Sequence, residues 1–250
     1  MERCVQRIGY GQRSRYGQRS RYRHMYRNVS GMVCRIVLSV VIIILGVTFL
    51  RQSAGFLAGM AEADTSLGWD LILVNKDYAI PDHYELELTQ LSNGKEVDSR
   101  IYPALQEMFD DARMSGLQLF VREGYRTQEE QRAIMEERIA EYLAQGYSKQ
   151  DAKKMAEGYV SIPGTSEHQL GLAVDVNADT SVSSSDEVYA WLDANAYRYG
   201  FIKRYPSDKT EITGVNNEPW HYRYVGREAA GEMKENNLCL EEYVEWKKSN

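Results

Sequence analysis

The chain has 250 residues and a mass of 28.7 kDa, enough to bury a core of its own, and reads as one folded domain plus appendages. Its charge is divided: residues 1–35 hold nine arginines against the single acid Glu2, and setting these and Arg51 aside from the totals of 30 bases and 36 acids leaves 20 against 35 in residues 52–250, a net charge of −15. Three cysteines exclude a disulfide framework, and Cys239, the one beyond residue 50, reads as a small buried hydrophobe.

In chain order, the basic tail, residues 1–31, comes first and repeats "YGQRSR" at Tyr10–Arg15 and Tyr16–Arg21. Its composition suits contact with anionic lipid headgroups. Arginine interleaved with tyrosine also suits nucleic acid, but membrane topology already accounts for the charge, so nucleic acid is not an expected partner. The uncharged run Ile36–Leu50 extends back to Met32 with Arg35 snorkelling, giving a 19-residue span read as a transmembrane helix. A cleaved signal peptide and a buried core helix are the alternatives, the first because Ala61-Glu62-Ala63 has the small-x-small form, though it lies far beyond Leu50. Positive-inside bias puts the N-terminus in the cytoplasm and the acidic domain on the outer side of the cell membrane.

Residues 51–70 are rich in Gly, Ala and Ser and read as a linker to a domain spanning 71–250. After the apolar run "LILVNKDYAIP", the spacing predicts a helix over Tyr102–Met114 with Leu105, Met108, Phe109 and Ala112 on one face, then a strand in "LQLFVRE". A capping box at Thr127 and Glu130 opens a long helix with Ala133, Ile134, Ile139 and Leu143 as its apolar positions; Ser148 with Asp151 opens a shorter one through about Glu157. "GLAVDV" reads as a strand, Glu187–Tyr197 as a helix, "FIKRY" and "WHYRYV" as extended segments, and "LEEYVEWKK" as a closing helix. Helices and strands mix without regular βαβ alternation, which predicts an α+β fold with a mainly antiparallel sheet flanked by helices.

Of the four histidines, His24 lies in the tail and His83 in a loop beside Pro81, leaving His168 and His221, each next to acids. Imidazole and carboxylate are zinc ligands, and a catalytic zinc keeps three protein ligands and one open position. Gly171 lets the chain bend so that His168 and Asp175 face one point, and a carboxylate inside "LAVDV" is costly to bury unless paired or metal-bound. His221 can complete the set. Glu218 is separated from it by Pro219-Trp220 and suits a general base better than a fourth ligand. The bland alternative, a core histidine and an aspartate paired with an arginine, fits the same residues.

The segments "SEHQLGLAVDV" and "EPWHYRYVG" resemble the two signatures of the VanY-type D-alanyl-D-alanine carboxypeptidases, Ser-x-His-x-x-Gly-x-Ala-x-Asp and Glu-x-x-His. The resemblance extends to "LVNKDYAIP", "GYRTQEEQ" and the stretch from "WLDANAYRYG" onward, covering about residues 71–246. It implies the D,D-peptidase/Hedgehog-like fold with zinc on the sheet, ligands His168, Asp175 and His221, Glu218 as catalytic base, and Arg126 facing the scissile carbonyl or the terminal carboxylate. It implies substrate contacts at Gln131 and Ser166, while Trp220 and Tyr222 suit either a wall of the site or the core. Thr127 and Cys239 depart from the commoner pattern, in which serine follows "GYR" and threonine precedes "LEEY". The implied activity is removal of the C-terminal D-alanine from peptidoglycan stem peptides. The alternatives are L,D-carboxypeptidase action on tetrapeptide stems, D,D-dipeptidase action on free D-Ala-D-Ala, and a zinc-stabilised module that binds wall peptides without cutting them. A membrane regulator acting through the Arg/Tyr tail is a further alternative.

Overall fold

The computed structural model describes residues 60–250; the basic tail, the span 32–50 and residues 51–59 of the expected linker lie outside the described residues. Among the described residues no helix is long and apolar enough to cross a membrane. Residues 60–70, expected as linker, are already folded onto the domain. β1 (Ala61–Glu62) pairs in parallel with β2 (Tyr78–Ala79), Ala63 is buried, and Trp69 stacks on Tyr224 with the Arg100 guanidinium 4.0 Å from its ring centroid.

β3 (Leu88–Gln90) and β4 (Glu96–Asp98) form an antiparallel hairpin. α1 (Tyr102–Met114) follows, with Pro103 in its first turn, and buries Leu105, Met108, Phe109 and Ala112, the face its spacing predicts. After β5 (Leu119–Glu123), Thr127 and Glu130 close the expected capping box on α2 (Gln128–Ala144), and Ser148 caps α3 (Lys149–Glu157). The inner face of α2 differs from expectation. It buries Gln131, Arg132 and Met135, while Ala133 and Leu143 are exposed and Ile134 and Ile139 only half-buried. Met135 packs with Ala156 of α3 and with Val160 in a small satellite cluster, and this contact sets the rotation of the helix.

Next come β6 (Ala173–Ala178), α4 (Ser185–Asn195), β7 (Phe201–Lys203), the single turn α5 (Thr210–Thr213), β8 (His221–Tyr224), α6 (Arg227–Asn236) and α7 (Leu240–Ser249). The helix expected at 187–197 starts two residues earlier, where Ser184 and Glu187 make a capping box, and its last turn tightens into a 3-10 turn. α6 has no counterpart among the elements expected from sequence; its buried face is short and made of Ala229, Ala230 and Met233, two of them small. Cys239 is buried at the N-cap of α7, where its backbone N–H donates to Glu242 Oε2 at 2.9 Å, so the departure from threonine leaves the start of the helix tied down.

The central sheet runs β5–β6–β8–β7 and is antiparallel throughout. Its strands alternate. Val121, Val174, Val176 and Tyr222 enter the main core with Leu105 and Met108 of α1 and Leu192 of α4, the aliphatic side chains each contributing about 1.5–3 kcal/mol by burial. Asp175, Asn177 and His221 line a cleft. α6 and α7 close the β7 side of the sheet through a second cluster around Ile202, Val225 and Tyr243.

Candidate metal centre and active site

Asp175 and His221 occupy paired positions on β6 and β8, so their side chains leave the same face of the sheet. His168 reaches that point from the 3-10 turn Glu167–Leu170 just before β6. Gly171 makes this bend: its φ is +68°, and a Cβ there would lie 2.9 Å from the Asp98 nitrogen. One ligand atom from each of His168, Asp175 and His221 lies within 4.8 Å of the others, and all three residues are buried.

Asp175 Oδ1 sits 3.3 Å from His168 Nε2 and 3.2 Å from His221 Nδ1. Neither approach has hydrogen-bond geometry, and Oδ1 is a buried oxygen without a hydrogen-bond partner. The arginine pairing of the bland alternative does occur, but on the other oxygen, where Arg126 Nη2 donates to Oδ2 at 3.2 Å. His168 Nδ1 donates to the Gly124 carbonyl at 2.8 Å, which leaves Nε2 as its lone-pair nitrogen. Gly124 is obligatory there, since a Cβ would fall 2.2 Å from the Glu96 carbonyl oxygen. Two imidazoles and a half-satisfied carboxylate aimed at one point fit a divalent zinc-type cation.

Charges in the centre are strongly coupled. Burial holds the His168 imidazole below its ordinary value despite the Asp175 charge. For His221 burial works in the same direction, but the Asp175 charge and the charge and hydrogen bond of Glu167 outweigh it and push it up to about 9, a proton that a metal ion would displace. Asp175 stays well below the carboxylate range because the two histidines outweigh its desolvation. Burial pushes Glu218 up to about 7, with the Asp175 charge adding to it. Its Oε2 lies 3.7 Å from His221 Nδ1, and its backbone N–H is tied to the Tyr205 carbonyl. Glu218 thus stands beside the three-residue cluster and outside it.

Arg126 spans the wall of the cleft. Besides Asp175 it donates to Gln131 Oε1 at 3.4 Å, and its Nε is buried without a hydrogen-bond partner. Gln131 is in turn anchored to the Ser161 carbonyl at 2.8 Å. Ser166 and Trp220 line the same cleft, whose volume is about 690 Å³. Tyr222, one residue from His221, points the opposite way into the core. His83 is exposed and lies outside the cleft. Two partners of the histidines were not legible as such: the Gly124 carbonyl, which carries no side-chain signal, and Glu167, visible in sequence only as an acid next to His168.

This constellation, three convergent donors with a carboxylate and an arginine beside them in an open cleft, defines a mononuclear metal hydrolase. The family model described as VanY, D-alanyl-D-alanine carboxypeptidase, matches residues 94–227, and the chain belongs to that family. It is 58% identical over 192 residues to a D-alanyl-D-alanine carboxypeptidase of Enterococcus faecalis (strain ATCC 700802 / V583), covering 77% of this chain and 72% of the relative. Among solved structures it resembles VanYB in complex with D-alanine-D-alanine, with 60% identity, a TM-score of 0.70, and coverage of 71% of this chain and 98% of the other. A glutamate-to-alanine mutant of the vancomycin-resistance D,D-pentapeptidase VanY from a VanB-type cassette, solved with Zn(II), matches at 61% identity and a TM-score of 0.69, covering 70% and 99%.

Proposed function

We propose that this chain is a zinc-dependent D,D-carboxypeptidase that removes the C-terminal D-alanine from the stem peptides of peptidoglycan. The observation that carries the reading is Asp175 Oδ1, buried without a hydrogen bond between His168 Nε2 and His221 Nδ1. The zinc-containing relative supports the choice of metal.

Zinc, when bound by His168, Asp175 and His221, supplies a Lewis acid for the scissile carbonyl and lowers the pKa of water toward about 7. The chain's own residues do the rest. Glu218, buried at the edge of the centre, takes the proton of the attacking water as its oxygen bonds to the carbonyl carbon, and delivers a proton to the amide nitrogen as the C–N bond breaks. The products are the shortened peptide and free D-alanine. Arg126 brings a permanent positive charge to the wall of the cleft, where it stabilises the negative charge that develops on the carbonyl oxygen, and Gln131 steadies it while Glu123 lies 3.9 Å from its Nε. Ser166 and Trp220 complete the walls. A cleft of about 690 Å³ has room for residues upstream of the scissile bond, which favours a stem peptide over a free dipeptide.

The same function suits a place at the membrane. Met32–Leu50 serves as a single membrane span, the basic tail meets anionic headgroups in the cytoplasm, and the acidic domain faces the wall. A protease-protection assay tests it, and a domain sheltered on the cytoplasmic side would reverse this topology.

Mass spectrometry of stem peptides incubated with the zinc-loaded full chain tests the activity, with Glu218→Ala as control. Loss of one alanine from a pentapeptide ending in D-Ala-D-Ala is the expected result. Loss from a tetrapeptide alone would move the assignment to L,D-carboxypeptidase. If neither peptide shortened while zinc stayed bound, a wall-peptide binding module would replace the enzyme.

A further inference from the structure

The second ring nitrogen of His221 faces a buried cluster of charges that the reaction does not use directly. Glu167 Oε2 lies 3.3 Å from His221 Nε2, and Oε1 accepts from Arg204 Nε at 2.7 Å and Arg223 Nη1 at 2.9 Å. Arg204 spends its remaining donors on Glu241 of α7, a bidentate pair at 2.6 and 2.8 Å. Arg223 spends its own on the carbonyls of Asp70, Ile72 and Tyr224. Glu167, Arg204 and Arg223 are each 1% exposed or less.

A buried cluster of this kind is weak evidence for stability, because desolvation consumes most of the Coulombic gain and an apolar cluster would hold the helix as well. Its geometry has a more specific consequence. Two guanidinium groups on Oε1 orient the Glu167 carboxylate so that Oε2, an acceptor, meets the imidazole edge. An acceptor there holds a ring proton on Nε2, so Nδ1, which faces Asp175 Oδ1, is the nitrogen left to give up its proton and offer a lone pair to a metal ion. Tyr205 packs on the same ring, with centroids 4.9 Å apart.

We propose that Glu167 is a positioning residue that selects the metal-binding tautomer of His221, held in its own orientation by Arg204 and Arg223. The inference rests on the zinc reading above. It makes a distinctive prediction for Glu167→Gln. The two arginines require the amide oxygen at the Oε1 position, so the amide N–H₂ turns toward His221 Nε2, the ring proton moves to Nδ1, and the lone pair is lost from the metal side.

The test uses the full chain in detergent. Zinc affinity, read by competition with a chromophoric chelator, should fall roughly 10- to 100-fold in Glu167→Gln. Glu241→Gln, which removes a charge from the same cluster and leaves the partner of His221 in place, should stay close to the wild type. Long-range proton–nitrogen NMR of the zinc-loaded wild type should show opposite tautomers, Nε2–H on His221 and Nδ1–H on His168. Unchanged affinity in Glu167→Gln, equal losses in both variants, or an Nδ1 proton on His221 would each overturn the proposal. If Glu167→Gln does not fold, the wild-type tautomer decides. A wild type that bound no zinc would remove the proposal together with the zinc reading, whereas zinc bound with the stated tautomers but no D-alanine released would remove only the reaction.

Discussion

Asp175 and His221 face each other across the β6–β8 pairing, with Oδ1 and Nδ1 3.2 Å apart and no hydrogen bond between them. Both positions lie in inner strands of the sheet, where ladder bonds and packing leave little freedom. A site carried on such strands holds its ligands more tightly than one carried on loops, and only His168 comes from a turn.

Replacing Glu218 with alanine should leave zinc bound, because the three donors are intact, and should lower turnover by about 10²–10⁴-fold. Metal analysis beside D-alanine release checks both halves. A variant of near-normal activity would remove Glu218 from the role of base.

Arg126→Gln should reduce kcat by roughly 10²–10³-fold if the guanidinium stabilises developing charge. It also strips Asp175 Oδ2 of its donor, so zinc content must be measured in parallel. Loss of turnover at full zinc occupancy is the expected pattern. A rise in KM with kcat unchanged would instead place Arg126 in ground-state binding alone.

Gly171→Ala should destabilise the domain by at least ~1–3 kcal/mol, since alanine at this positive φ is strained and its Cβ meets the Asp98 backbone. Urea unfolding reads the stability. Zinc affinity should fall with it, because the same bend aims His168 at Asp175.

Acid should unfold the metal-free protein partly through Glu241. Burial works against ionisation there, but the charge and hydrogen bonds of Arg204 outweigh it and hold the folded value below the ordinary 4.5. A lowered carboxylate contributes its full stability above pH 4.5 and loses it as pH falls through the depressed value. Unfolding midpoints between neutral pH and that range should drop toward acid, less steeply in Glu241→Gln. Equal slopes would remove Glu241 from the acid response.

Much of this protein was local enough to read directly. The capping box at Thr127, the Ser148 cap and the stripe Leu105, Met108, Phe109, Ala112 depend on residues three or four apart, so α1 was legible by its apolar face and α2 and α3 by their N-caps. The donors His168, Asp175 and His221 were legible because a carboxylate in an apolar strand is costly to bury alone and two histidines beside acids complete a zinc-type donor set, and Gly171 because the bend needs it. Contacts between distant segments decided the rest. Packing on α3 turned α2 to bury Gln131 and Met135, strand register sent Tyr222 to the core and His221 to the cleft, and Trp69 drew the end of the expected linker into the fold. Which nitrogen of each histidine faces the metal site was likewise a tertiary matter. It is set by the Gly124 carbonyl, 44 residues from His168, and by Glu167, 54 residues from His221, and a hydrogen-bond partner that far along the chain leaves no periodic trace in the sequence.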